Sequence, residues 1–155
     1  MIAGGPTRAP QAVLFACEMN AVRSPMALAL FRHYFGRSLY GESAGVRKGE
    51  LDPFAAAVME EIGLDIAKHR PHTFEELEDA EGLNFDLIVT LSPPAHHRAL
   101  DLTRTLAADV EYWPVPDVTN QGGSREQILD AYRSVRDILA KRIRDRFGSI
   151  ARGNE

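Results

Sequence analysis

The sequence holds a single cysteine, Cys17, and six positions further on stands Arg23, followed at once by Ser24 and Pro25. A thiolate is a nucleophile, and a guanidinium presents a planar fork of donors that matches two oxygens of a tetrahedral anion. Together they can attack and hold a phosphate-like group, provided the chain brings them to one place. Val13, Leu14, Phe15 and Ala16 form the short apolar run of a strand covered on both faces. After Pro25, residues Met26–Phe35 carry apolar side chains at helical spacing, with Ser24 expected as the N-cap and Pro25 as the first helical residue. The intervening loop therefore joins the carboxyl end of a strand to the amino end of a helix. Backbone N–H groups and the positive helix pole favour both an anion and a thiolate in such a loop. Cys17 is read as the nucleophile and Arg23 as the oxyanion clamp. Glu18, Met19, Asn20, Ala21, Val22 and Ser24 are the expected substrate-binding residues, and Asn20 suits the left-handed backbone that tight anion loops require.

The elements around this loop alternate. A helix is expected to Phe35, a second strand over Ser38–Ala44, and a helix opening at Leu51-Asp52-Pro53 and running to Ile62. A short acidic helix follows over Pro71–Asp79 with Thr73 as N-cap. Then come a third strand at Phe85–Leu91, a helix over Pro93–Ala107, a fourth strand at Val110–Val115 and a last helix from Ser124. In that last helix Ile128, Tyr132, Val135, Leu139, Ile143 and Phe147 share one face. Strands alternating with helices imply an α/β single domain: a four-stranded parallel sheet with helices on both faces and an N-terminal phosphate-binding loop. The segments Cys17–Ser24, Ser43–Lys48 and Pro116–Asn120 each follow a strand, so they can converge on the rim where such sheets bind ligands. Residues 1–10 are expected to be a disordered extension, 11–148 the domain, and 149–155 a disordered tail.

With 155 residues, 45% hydrophobic and 26% charged, the chain has the size and balance of one soluble domain. A net charge of −4 makes no case for nucleic acid or a membrane as partner. A lone cysteine cannot form an internal disulfide, and no apolar run suggests a leader or a span, so a cytoplasmic location is expected.

The Cys17-x5-Arg23-Ser24 pattern, with Asn20 inside it, resembles the phosphate loop of low-molecular-weight protein tyrosine phosphatases and the related thioredoxin-type arsenate reductases. Glu42–Gly45 (E-S-A-G), Phe85–Leu91 (F-D-L-I-V-T-L) and Val115–Asp117 (V-P-D) extend the likeness over Gln11–Phe147. The resemblance implies that Asp117 is the general acid, that Ser24 donates a hydrogen bond to the Cys17 sulfur, and that Asn20 bonds across to the supporting Ser43. It implies a protein tyrosine phosphatase-like hydrolase acting through a cysteinyl-phosphate, its substrate a phosphorylated protein or small phosphomonoester.

The chain departs from the pattern at four positions. Glu18 and Met19 stand where the loop is ordinarily different, so the Glu18 carboxylate is expected to weaken anion binding unless it points outward toward Arg47 or Lys48, and either Met19 is strained or the loop is locally altered. Val118 and Thr119 replace the proline and aromatic that follow the acid. Two alternatives stay open. One is an arsenate reductase fed by an external low-molecular-weight thiol, because Ser92 and Ala99 stand where a relay would place cysteines. The other is a non-catalytic module binding an oxyanion or phosphoprotein. No metal or cofactor is expected: His96 and His97 diverge by about 100° on a helix, and His69 and His72 are read as surface residues.

Overall fold

The computed structural model describes residues 9–153, in nine elements: β1 (Ala12–Cys17), α1 (Arg23–Phe35), β2 (Tyr40–Gly45), α2 (Pro53–Glu60), α3 (Phe74–Glu81), β3 (Leu87–Thr90), α4 (Pro93–Leu102), β4 (Asp109–Tyr112) and α5 (Arg125–Gly153). The strands form one sheet in the order β2-β1-β3-β4. Every pairing is parallel, with Phe15 opposite Ser43 on one side and Val89 on the other. The fold class read from the sequence is therefore the one observed.

Because side chains alternate along a strand, β1 feeds two cores. Val13 and Phe15 face the layer of α1, α2 and α5, whereas Leu14 and Ala16 face α3 and α4. The larger core is knit by edge-to-face rings: Phe15 and Phe31 have centroids 5.3 Å apart, and Phe31 and Phe147 5.0 Å apart. Tyr132, Val135, Leu139, Ile143 and Phe147 are the buried stripe of α5, as expected, with Ile128 partly buried at its start. Each such side chain contributes about 1.5–3 kcal/mol by leaving water, which holds α1, and so the loop before it, against β1.

Element ends differ from the expectation where side chains are drawn into other bonds. Helix α1 begins at Arg23, with Val22 as an N-cap that makes no side-chain bond. Ser24 is not the cap, nor Pro25 the first helical residue, because the Ser24 hydroxyl is engaged by Cys17 and Asn20. The expected caps Asp52 and Thr73 do cap α2 and α3, Thr73 in a reciprocal box with Glu76. Strands β3 and β4 and helix α4 are shorter than read. Helix α5 continues to Gly153, past the boundary placed at 148. Of the expected N-terminal extension, residues 1–8 lie outside the described residues, as do 154 and 155 of the tail.

Candidate active site

The loop between β1 and α1 turns its carbonyls outward. Those of Cys17, Glu18, Met19 and Ala21 accept the amides of Val46, Arg47, Gly49 and Asp52 at 3.0–3.2 Å, and that of Val22 accepts Met26. The remaining one, on Asn20, receives His69 Nε2 at 3.2 Å. With each carbonyl turned to the β2–α2 segment or to its neighbours, the amides of residues 18–22 have no protein acceptor among the described residues. A ring of unspent N–H groups ahead of a helix start is a nest for an anion.

Asn20 holds this shape. Its φ of 55° is the one positive value at a non-glycine among the described residues, a conformation Asn adopts more readily than most. Met19 has no positive φ and stands exposed, and the left-handed residue of the loop is its neighbour Asn20. The side chain of Asn20 is wholly buried, and its proton directions are fixed by one bond. The His72 amide can only donate, and it reaches Asn20 Oδ1 at 3.0 Å. The other end of the amide is therefore the NH₂ group, which donates to Ser24 Oγ at 2.8 Å and Ser43 Oγ at 3.0 Å. Since Ser24 Oγ accepts from Asn20, its own proton is available to Cys17 Sγ, 2.9 Å away.

Sequence reasoning missed His69. It is half-buried rather than a surface residue, and Nε2 donates to Asn20 Oδ1 at 3.0 Å as well as to the Asn20 carbonyl. Burial pushes its pKa below the ordinary value, only partly opposed by the bond to Asn20. Gly45 was recognised only as part of a motif. A Cβ there would lie 2.5 Å from the Arg47 carbonyl oxygen, 2.8 Å from Asn20 N and 2.9 Å from the Glu18 oxygen. Only glycine lets the end of β2 lie this close against the loop.

Cys17, Glu18, Met19, Ala21, Val22, Arg23 and Asp117 line one cleft of about 460 Å³. Asn20, Ser24 and Ser43 sit beneath it, wholly buried, so Asn20 and Ser24 act on the loop from below and are not part of the cleft wall. Arg23 is anchored through Nη1 to the carbonyls of Leu91 at 3.3 Å and Val115 at 3.2 Å, just past β3 and β4. Glu18 pairs with Arg47 at 2.8 Å, as expected, while Lys48 pairs with Glu76 instead. Asp117 is not free: its Oδ1 accepts both the amide and the hydroxyl of Thr119. The Thr119 hydroxyl, then its amide, and more weakly Arg23 hold the Asp117 carboxyl below the ordinary range. No group of three potential metal ligands occurs among the described residues, and none of their helices is long and apolar enough to cross a membrane.

The family described as "Low molecular weight phosphotyrosine protein phosphatase" matches residues 12–153. An arsenate reductase of Halalkalibacterium halodurans is 31% identical over 136 residues, covering 85% of this chain and 91% of the relative. Among solved structures, a low molecular weight protein tyrosine phosphatase from T. tengcongensis superposes with a TM-score of 0.71 at 25% identity, over 90% of this chain and 98% of that one. An arsenate reductase from Archaeoglobus fulgidus superposes at 0.65 with 30% identity, over 88% and 98%. The chain therefore belongs to the low molecular weight phosphotyrosine protein phosphatase family.

Proposed function

We propose that the protein is a phosphomonoester hydrolase working through a cysteinyl-phosphate. The observation that carries this reading is the meeting of Cys17, Arg23 and Asp117 on one cleft, above a loop whose amides are unspent. In the first step the Cys17 thiolate attacks phosphorus, an S–P bond forms and the ester P–O bond breaks. The departing oxygen takes the electron pair and a proton from Asp117. Arg23 and the loop amides hold the three non-bridging oxygens, whose charge they stabilise in the transition state. In the second step water attacks phosphorus and gives a proton to the Asp117 carboxylate. The S–P bond breaks, and the sulfur leaves as a thiolate that receives the Ser24 hydroxyl bond.

A second reading, arsenate reduction, is favoured by the name of the H. halodurans relative. Arsenate would enter the same cradle. Cys17 is the chain's only thiol, and Ser92, at one of the positions a relay would use, is buried as the N-cap of α4. The reducing electrons would have to come from an external thiol.

One preparation tests both: turnover of nitrophenyl phosphate is compared with arsenate reduction in the presence of a low-molecular-weight thiol. Hydrolysis that Cys17→Ser abolishes, without thiol-dependent arsenite formation, is the expected result. Arsenite formation with negligible ester hydrolysis would replace the first reading by the second. Asp117→Asn refines the test, because a nitrophenolate leaves without a proton and an unsubstituted phenolate does not. The loss should be about 10²–10⁴-fold for phenyl phosphate and much smaller for the nitrophenyl ester.

A further inference from the structure

The cleft that holds the anion loop carries four carboxylates, Glu18, Glu50, Asp52 and Asp117, against two guanidinium groups, Arg23 and Arg47, and no aromatic side chain among the described residues lines it. These charges are not equally committed. Glu18 is neutralised by Arg47 at 2.8 Å. Asp52 caps α2 through Oδ1, with the Phe54 amide at 2.8 Å, and accepts the buried Tyr132 hydroxyl on Oδ2 at 2.6 Å. Asp117 is held by Thr119. Glu50 is exposed and makes no hydrogen bond or ion pair among the described residues. A phosphate seated in the loop draws on Arg23 and the amides, which leaves its organic substituent to the rest of the cleft, where Glu50, Asp52 and Asp117 stand beside the apolar Met19, Leu51 and Pro53. Tyr132, the aromatic tied to this wall, is turned inward and bound to Asp52, so it offers an aryl group no face to stack on.

We propose that the cleft selects phosphomonoesters whose leaving group carries a cationic centre, with Glu50 as the residue that determines this preference. The inference rests on the phosphomonoesterase reading above and adds the substrate class. The reaction is unchanged: the P–O bond breaks, Asp117 supplies the proton, and the cation departs with the alcohol. Glu50 acts on binding of the substituent and never on phosphorus. Its interaction is between exposed charges, so the expected preference is modest, about fivefold in kcat/KM, and should shrink as salt rises.

The test compares para-(aminomethyl)phenyl phosphate with para-tolyl phosphate, matched in size and differing in charge, in the wild type and in Glu50→Gln. Two further arms, phosphoethanolamine and a lysine-flanked phosphotyrosine peptide, separate a small amine from a basic peptide as the source of the cation. The expected result is a preference for the aminomethyl ester that weakens with added salt and disappears in Glu50→Gln. The variant also removes any difference in intrinsic reactivity from the comparison, since that difference would survive the substitution. Equal rates for the two esters, or a preference that Glu50→Gln leaves intact, overturn this inference while the hydrolase reading stands. Absence of turnover with either ester overturns the hydrolase reading, and this inference with it.

Discussion

Thr119 donates twice to one oxygen of Asp117, through its amide at 3.0 Å and its hydroxyl at 2.7 Å. Both bonds favour the carboxylate, so they draw the pKa of Asp117 down, with Arg23 adding a weaker pull. A general acid is useful only while protonated. In the proposed mechanism, lowering the pKa of Asp117 moves the alkaline limb of the rate profile toward acid, and hydrolysis should be fastest below neutrality. Thr119→Val removes the hydroxyl bond and keeps the amide. Asp117 should then stay protonated to higher pH, and the alkaline limb of kcat for phenyl phosphate should move upward. An unmoved limb would detach Asp117 from the ionisation that sets it.

Gly45 offers a test of the cradle that leaves every polar side chain in place. A methyl group at this position meets three backbone atoms at 2.5–2.9 Å, and backbone cannot swing aside as a flexible side chain can. Gly45→Ala should therefore displace the 18–22 loop from the end of β2. Overpacking of this kind costs about 1–3 kcal/mol, and the rise in melting temperature expected of the wild type in phosphate should be largely lost. A full phosphate shift in Gly45→Ala would mean that the loop does not depend on this contact.

Much of this was legible in the sequence because local signals and global pattern agreed. The β1 run, the alternating elements and the α5 stripe all follow from periodicity, and the Cys17–Ser24 spacing has a chemical meaning of its own. The reading failed where a side chain had two possible partners. Ser24 is a good cap by type, but its oxygen accepts from Asn20 and its hydroxyl donates to Cys17, seven residues away in sequence. His69 lies 49 residues from Asn20, and nothing in its neighbourhood announces a bond that only the packing of the segment after α2 creates. The departure at Thr119 was visible; its consequence, a clamp on Asp117, required the loop geometry.

The His69–Asn20 bond has a pH signature. Nε2 must be the protonated nitrogen, because both of its partners are carbonyl oxygens, so further protonation falls on Nδ1. Burial lowers the folded-state pKa. As pH falls below about 6.5, the unfolded chain binds a proton that the folded chain refuses until its own lower pKa is reached. Stability from the neutral ring is thus present above that pH and is lost progressively below it. The melting temperature should fall on acidification through this window, and His69→Gln should flatten that part of the profile. An identical slope in the variant would assign the acid sensitivity elsewhere.

The last prediction concerns Ser24 and the two chemical steps. Its hydroxyl proton points to Cys17 Sγ because Asn20 occupies the oxygen as donor. In the proposed mechanism that bond stabilises the thiolate, which would be consumed in the first step and released in the second. Removing it leaves attack on phosphorus with a slightly stronger nucleophile and makes departure of sulfur harder. Hydrogen bonds to charged groups are worth about 1.5–3 kcal/mol, so Ser24→Ala should slow dephosphorylation about ten- to a hundredfold while phosphorylation changes little. The two steps separate in rapid mixing with nitrophenyl phosphate: the variant should release a burst of nitrophenolate close to one per active site and then turn over slowly. Asn20 keeps its bonds to Ser43 and to the His72 amide, so phosphate should still raise the melting temperature of the variant. A uniform loss of rate with no burst would mean that Ser24 only shapes the loop.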